Sequence, residues 1–371
     1  MQQRGALIDE IRGDLFCAWL SPPPDSGSRS ARLSRLRKRR SSEQHSPPAL
    51  ILAAHLTQTA THYFPLRGRA ALLHSGVDRF VTAPAVAAGL RNGTLRIHVV
   101  HDSPAVSGPL SMYRGVALHR MQSVGVAGRD AVLPAQDARW ALFGKLLEEL
   151  RPDPRTCVFL VDFSDVSLLR SALDRLCASV EAEAPNDGAV SAKAEELAPS
   201  TLFVGSDMCH ADGARKFLRH QLNASGFNAS APMRRFLASR TASYVHNVGI
   251  LGGRLPVVER MRRLLASGTD AHYASRPAQE RPRYVVDSVL LNDLLLRDAH
   301  TPLRLVGGWP RGFVNLPMAG DVCVPPKFNN FCLAAQFRNC RAKHLLAAMA
   351  PHYWWAHKVG CGGVIGCKAE W

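Results

Sequence analysis

The chain has 371 residues and an apolar fraction of 46%, which is enough for one large α/β domain or two smaller ones. Its formal net charge of +16 favours anionic partners, such as nucleic acids, anionic lipids or phosphorylated small molecules, without choosing among them. The sequence contains no run of 18 apolar residues, no P-loop, no GxSxG nucleophile elbow and no HExxH motif, which argues against a transmembrane helix and against the commonest ATPases, serine hydrolases and zinc proteases.

Residues 1–48 are expected to form a disordered basic arm. The tract SRSARLSRLRKRR at positions 28–40 adjoins SPPPDSGS, and it lacks the apolar residues needed to bury a core of its own. A nuclear or nucleic-acid-binding tag is the alternative interpretation. The first residues carry three acidic and two arginine side chains, which is not the pattern of a signal peptide.

An alternation of strands and helices begins at residue 49. ALILAAHL (49–56) and LRIHVV (95–100) predict two strands, and the residues between 72 and 90 have helical spacing. A strand, a helix and a strand at this spacing indicate a right-handed βαβ unit and therefore a parallel sheet.

The clearest helix is DARWALFGKLLEEL (137–150), which has one apolar stripe and which Asp137 is expected to cap. The strand TCVFLV (156–161) follows at once. Because this strand is continuously apolar, we expect it to be covered on both faces. Cys157 lies in it and, like Cys177 further on, is expected to be a buried thiol.

The alternation continues into the middle of the chain. Residues 166–176 predict a helix, residues 180–199 an acidic, Ala-rich surface insertion, and residues 200–207 another buried strand. The sequence therefore predicts an α/β fold with a mostly parallel, Rossmann-like central sheet flanked by helices, in one domain over residues 49–371.

Two aspartates, Asp162 and Asp165, follow the apolar strand 156–161. In an open parallel sheet, ligands bind beyond the carboxyl ends of the strands. Two converging carboxylates repel each other unless a cation or a shared proton compensates, and Mn²⁺ or Mg²⁺ suits oxygen ligands while keeping positions open for phosphates. The alternative is that Asp165 caps the next helix and that Asp162 is a solvated loop residue.

The order of several segments resembles that of nucleotide-sugar glycosyltransferases of the GT-A fold. These segments are RWALFGKLLEEL, VFLVDFSDV, STLFVGSD, YVHNVGILGG, an Asp-bearing helix and WWAHKVG, and they extend over about residues 49–365. The chain is similar to small uncharacterised GT-A-like proteins of bacteria and algae, and more distantly to the glucosyltransferase domains of collagen lysyl glycosyltransferases. The resemblance implies a metal-dependent transfer of a sugar from a nucleotide diphosphate donor, expected to be UDP-linked, to a glycan, protein or small-molecule acceptor.

The resemblance also implies a metal and diphosphate site. Asp162, Asp165 and His357 would hold Mn²⁺ or Mg²⁺, since carboxylates and an imidazole suit these ions. Residues near the nucleotide or its diphosphate would be Lys358, Arg139 and Asp102. A single histidine late in a chain is as often an ordinary surface residue. KVGCGG is also similar but not identical to the glycine-rich stretch of the collagen enzymes.

A sugar site is implied by two further segments. Asn247, Gly252 and Gly253 would form a floor near the donor sugar, where glycines permit close backbone approach and Asn offers a donor and an acceptor. Asp287, at the start of YVVDSVLLNDLLL, would orient a sugar hydroxyl. The alternatives are a glycine-rich turn after a strand and a helix N-cap.

The C-terminal cysteines allow further interpretations. The five cysteines between 323 and 367 would form one or two disulfides in an oxidising compartment. His352, His357, Cys361 and Cys367 have the chemistry of zinc ligands, but their spacing does not match a zinc-finger pattern.

The partner and compartment are less constrained. Nucleic acid is not favoured, because only 7% of residues are aromatic and the basic residues are densest in the arm. A non-catalytic relative of the same fold, which binds a glycan or an anionic partner, is the alternative to an enzyme. The expected location is the secretory pathway or Golgi if the N-terminus is incomplete, and the cytoplasm otherwise.

Overall fold

The computed structural model describes residues 47–56, 80–102, 114–121, 133–162, 166–168, 170–182, 200–206, 211–239, 245–276, 285–297, 303–307, 313–315 and 355–357. The strands in this part of the chain are β1 (Ala49–His55), β2 (Leu95–His101), β3 (Val116–Arg120), β4 (Cys157–Asp162), β5 (Val166–Leu168), β6 (Ser200–Ser206), β7 (His246–Arg254), β8 (Leu303–Gly307), β9 (Phe313–Asn315) and β10 (Trp355–His357). The helices are α1 (Pro84–Arg91), α2 (Ala135–Leu150), α3 (Leu173–Ala182), α4 (Ala211–Ser225), α5 (Ala231–Ala238), α6 (Leu255–Ala274) and α7 (Asp287–Arg297). Almost all of the predicted arm (1–48) and of the predicted insertion (180–199) lies outside the described residues.

The central sheet has seven strands in the order β3-β2-β1-β4-β7-β6-β8. Neighbouring strands are parallel except around β7, which is antiparallel to both β4 and β6. The predicted α/β fold with a mostly parallel sheet flanked by helices is therefore confirmed. Since β2 and β3 lie on one side of β1 and β4 on the other, the strand order reverses between β1 and β4. In open α/β sheets such a reversal opens a crevice at the carboxyl ends of the strands.

Helices cover both faces of the sheet because its central strands are apolar on both faces. On one face, side chains such as Ile51 and Phe159 pack with α1 and α3. On the other, side chains such as Leu52 and Leu160 pack with α2, α6 and α7, around the fully buried Trp140. Each such Leu or Phe stabilises the fold by about 1.5–3 kcal/mol when fully buried. Asp162 follows Leu160 by two residues, so alternation places it on the α2 face.

The segment after β4 differs from the prediction of a helix over 166–176. Val166–Leu168 form the strand β5, and α3 begins only at Leu173. β5 pairs with β10, which comes from the far end of the chain and also pairs with β9. Helical spacing is a local signal, and this long-range pairing overrides it.

The two buried cysteines also differ from the prediction of free thiols. Cys157 and Cys177 lie in the core as expected, with 1% and 3% of their surface exposed. Their sulfur atoms form a disulfide that joins the start of β4 to α3. Disulfides are typical of proteins from oxidising compartments.

Two adjacent glycines allow β7 to pass through the middle of the sheet. Gly252 lies opposite Phe159 on β4, and a Cβ atom at Gly252 would come within 2.2 Å of the Phe159 ring. Gly253 has a φ of 152°, and a Cβ there would lie 2.6 Å from the carbonyl oxygen of Thr201. Both positions therefore require glycine for packing.

We expect Gly252→Ala to destabilise the protein by about 1–3 kcal/mol, because the added methyl group overpacks the core against Phe159. The free energy of unfolding in urea measures this cost. In a Phe159→Leu background the ring is absent and the same substitution should cost clearly less. An equal cost in both backgrounds would contradict the packing explanation.

Candidate functional site

Several polar residues meet at the carboxyl edge of the central sheet. Asp162 ends β4 and pairs with Ala54 of β1, next to the point where the strand order reverses. Asp102 directly follows β2, two strands away, which corresponds to roughly 10 Å at normal strand spacing. Because β7 is antiparallel to β4, the beginning of β7 lies at this edge as well. The candidate site is the group of residues around Asp162.

Arg139 is the centre of this group. It lies on α2, 4% exposed, and its Nη2 donates to Oδ2 of Asp287 at 2.8 Å. Its Nη1 forms an ion pair with Oδ1 of Asp162, whose side chain is 26% exposed. One guanidinium thus joins α2, the end of β4 and the start of α7. Three residues singled out in the sequence are brought together here.

Asp137 holds the start of α7 and not the start of its own helix. α2 begins at Ala135 after Pro134, without a side-chain cap, so the prediction that Asp137 caps it is wrong. The Asp137 carboxyl group instead accepts hydrogen bonds from the backbone N–H groups of Val286 and Asp287 at 3.2 and 3.1 Å. It also accepts one from the Tyr273 hydroxyl at 2.5 Å. An acidic group at a helix N-terminus is favourable because it satisfies unpaired N–H groups.

Three carboxyl groups of the site lie near Arg139, and two of them have raised pKa values. Burial raises the pKa of Asp137 to about 7, and repulsion by Asp287 adds to the increase, while the Tyr273 hydrogen bond opposes it. Burial also raises the pKa of Asp287, against the attraction of Arg139. Asp162 and Asp287 both pair with the Arg139 guanidinium, and Asp137 is close enough for the charge of Arg139 to lower its pKa. Such a group favours either an additional proton or an additional cation.

Asn247 lies at the same edge, but its side chain is occupied locally. Its Oδ1 accepts a hydrogen bond from the Gly249 N–H at 2.7 Å, where the pairing of β6 with β7 becomes irregular. The neighbouring residue His246 is held by Asn292 of α7 through both its backbone N–H and its carbonyl oxygen. Asn292 thus ties the start of β7, next to Asn247, to α7.

Gly252 and Gly253 are not part of this group. They lie opposite Phe159 and Val158 on β4, further from the edge than Asp162. Sheet packing accounts for both glycines, and a place near a bound sugar stays a prediction.

The remaining predicted ligands are described in part or not at all. His357 ends β10 and pairs with Val166, the residue after Asp165. The backbone of His357 therefore lies beside Val166, four residues after Asp162. Asp165 and Lys358 lie outside the described residues, so their proposed roles stay predictions.

The sequence did not predict the contacts of three residues of the site: Asp137, Tyr273 and Asn292. Each is buried. A polar residue within an apolar helical stripe is a signal for such a contact, and Asp137 and Asn292 show it. Their partners lie 149 and 46 residues away, which no local pattern identifies.

Comparisons with known proteins do not assign the chain to a family. No protein-family model matches the sequence, and no curated protein is significantly similar to it.

Among the described residues, no group of three or more His, Cys, Asp or Glu side chains is arranged to hold a metal ion. Within that same part of the chain, no helix is both long and apolar enough to span a membrane.

We expect Arg139→Met to destabilise the protein by about 3–5 kcal/mol, because it removes the buried ion pairs that Arg139 forms with Asp162 and Asp287. The free energy of unfolding in urea is the measurement. Arg155→Met is the matched control, since Arg155 pairs with Asp153 at the exposed surface, and this variant should be indistinguishable from wild type. A similar stability for the two variants would show that the buried pairs contribute little.

Asp137 should make stability fall as the pH rises. Its folded-state pKa of about 7 is above that of an unfolded aspartate, about 3.9. The folded protein therefore binds more protons between these values. The contribution of Asp137 is fully present below about pH 4 and is lost as the pH rises through about 7.

Unfolding in urea at pH 5 and pH 8 tests this expectation. Wild type should lose more stability between the two pH values than Asp137→Asn, in which position 137 does not titrate. Histidines with lowered pKa, such as His98 and His246, affect both proteins equally and cancel in the comparison. Parallel pH profiles would contradict a raised pKa at Asp137.

Proposed function

We propose that the protein is a metal-dependent glycosyltransferase of the GT-A type. It would transfer a sugar from a nucleotide diphosphate donor, with UDP as the nucleotide, to an acceptor that is a glycan, a protein or a small molecule. The observation that carries the proposal is the place of Asp162, a partly exposed carboxylate beside the reversal of strand order in a mostly parallel sheet. Ligands of open α/β sheets bind at such a place.

A divalent cation fits the chemistry of this edge. Asp162 offers a hard carboxylate oxygen at the edge of the sheet, and its side chain is 26% exposed. The backbone of His357 pairs with Val166, the residue after Asp165 in the sequence. We propose Asp162, Asp165 and His357 as ligands of Mn²⁺ or Mg²⁺. When bound, the ion would neutralise charge on the leaving diphosphate.

The contacts of the other residues refine their proposed roles. Arg139 and Asp287 are almost fully buried and bound to each other. We therefore propose that they orient Asp162, and that direct contact with the diphosphate falls to Lys358. Asp102, buried at the end of β2, remains the candidate on the nucleotide side of the crevice. Asn247 would face the sugar from the start of β7.

A non-catalytic binding protein of the same fold is the second candidate. It is favoured by one observation: Arg139 already provides a positive charge at Asp162. A protein that keeps this ion pair intact would bind a glycan or another anionic ligand without a metal.

Calorimetric titration with UDP, with and without Mn²⁺, tests the proposed function. We expect binding that requires Mn²⁺, is lost on adding EDTA, and weakens at least tenfold in Asp162→Asn. Asp153→Asn is the matched control, because Asp153 is a surface carboxylate paired with Arg155, and its affinity should equal that of wild type.

Hydrolysis of UDP-sugars in the presence of Mn²⁺ then separates an enzyme from a binding protein. Slow release of UDP by wild type, and its loss in Asp162→Asn, would support transfer chemistry. Binding of UDP that depends neither on Mn²⁺ nor on Asp162 would overturn the proposal. Metal-dependent binding without any hydrolysis or transfer would support the metal site but not the transfer activity, whereas binding of an anionic ligand without Mn²⁺ would favour the second candidate.

A further inference from the structure

Asp137 is a buried acidic group to which the proposed function gives no role. It is 1% exposed, and burying a carboxyl group is costly unless hydrogen bonds satisfy it. Both oxygens are satisfied: Oδ1 accepts from the backbone N–H groups of Val286 and Asp287, and Oδ2 accepts from Tyr273. A helix start is usually capped by a residue adjacent in sequence. Here the capping group comes from another helix, which fixes α7 relative to α2.

Asp137 and Arg139 connect the same two helices in a closed ring of contacts. Asp137 binds the backbone N–H of Asp287, while Arg139 binds the carboxylate of that same residue. Since Asp137 and Arg139 are only two residues apart on α2, a shift of α7 would strain both contacts. The ring therefore determines where the Asp287 carboxylate lies, and with it the position of the guanidinium.

The ring ends at the proposed metal ligand. Arg139 uses Nη2 for Asp287 and Nη1 for Asp162, and its guanidinium also lies over the Trp140 ring at 4.5 Å. Because the guanidinium is planar, a displacement of Asp287 would turn it and move the Asp162 carboxylate with it. Groups that hydrogen-bond to a ligand and its partners commonly fix ligand orientation and change metal affinity by 10–100-fold.

We propose that Asp137, supported by Tyr273, is a positioning residue of the site: through Asp287 and Arg139 it orients the Asp162 carboxylate for a divalent cation. This inference rests on the proposed function, because it takes Asp162 as a metal ligand. Neither Asp137 nor Tyr273 touches the cation or the substrate.

Mn²⁺ titration of the full-length protein at pH 6.5, followed by electron paramagnetic resonance, tests the proposal. Asp137→Ala removes the acceptor of both backbone N–H groups, and we expect Mn²⁺ affinity to fall about tenfold and the spectrum of bound Mn²⁺ to change. Asp137→Asn retains an oxygen acceptor and should restore most of the affinity. Asp153→Asn should match wild type in both readouts.

A second variant covers the case in which Asp137→Ala does not fold, as judged by circular dichroism and thermal melting. Tyr273→Phe removes one hydrogen bond to Asp137 and no apolar contact, so we expect a smaller loss of affinity in the same direction. Wild-type affinity and spectrum in a folded Asp137→Ala protein, or in Tyr273→Phe when the former is unfolded, would overturn the inference.

Asp162→Asn separates this inference from the proposed function. If Asp162→Asn abolishes Mn²⁺ binding while Asp137→Ala does not weaken it, the positioning role fails and the metal site stands. If Asp162→Asn binds Mn²⁺ like wild type, the proposed metal site itself fails. A crystal structure of Asp137→Ala in which Arg139 still joins Asp162 and Asp287 would also overturn the positioning role, whatever the metal result.

Discussion

The structure of the site depends on one buried guanidinium that is shared between two carboxylates. Arg139 binds Asp162 at the end of β4 and Asp287 at the start of α7. A buried charge is tolerated only when it is paired and hydrogen-bonded, so the three elements that supply these groups must keep a fixed arrangement. Asp137 adds a third carboxyl group next to this pair, and burial raises its pKa to about 7.

The sheet explains why this group lies where a ligand can reach it. Strand order reverses between β1 and β4, and in open α/β sheets such a reversal is where ligands bind at the carboxyl ends of the strands. α2 packs across the face of the sheet on which Asp162 lies, and it carries Asp137 and Arg139 to that end. The opposite face is joined by the disulfide between Cys157 and Cys177, which fixes α3 to the beginning of β4. The carboxyl end of β4, where the candidate site lies, is therefore held by the ion pair of Asp162 with Arg139.

Part of the candidate site follows from the sequence. The apolar run that ends on Asp162 predicts a buried strand with an acidic residue at its carboxyl end. The order of the segments along the chain indicates Arg139 and Asp287 as further site residues. For Gly252 and Gly253, the sequence does not show which group lies against them. A glycine pair predicts close approach, but whether a sugar or the Phe159 ring approaches is decided by the neighbouring strand. The cap formed by Asp137 is a similar case, since its partner is another helix.

Residue patterns by themselves determined the class of fold, the buried strands and the acidic end of β4, because periodicity and apolar runs are local properties of the chain. Tertiary structure alone decided the direction of β7, the pairing of β5 with β10, the disulfide and the ring that joins Asp137, Asp287 and Arg139. Each of these joins segments that are distant in sequence or depends on the side of the sheet to which a segment packs. The free energy of such contacts arises only when the chain has folded, so no local pattern carries it.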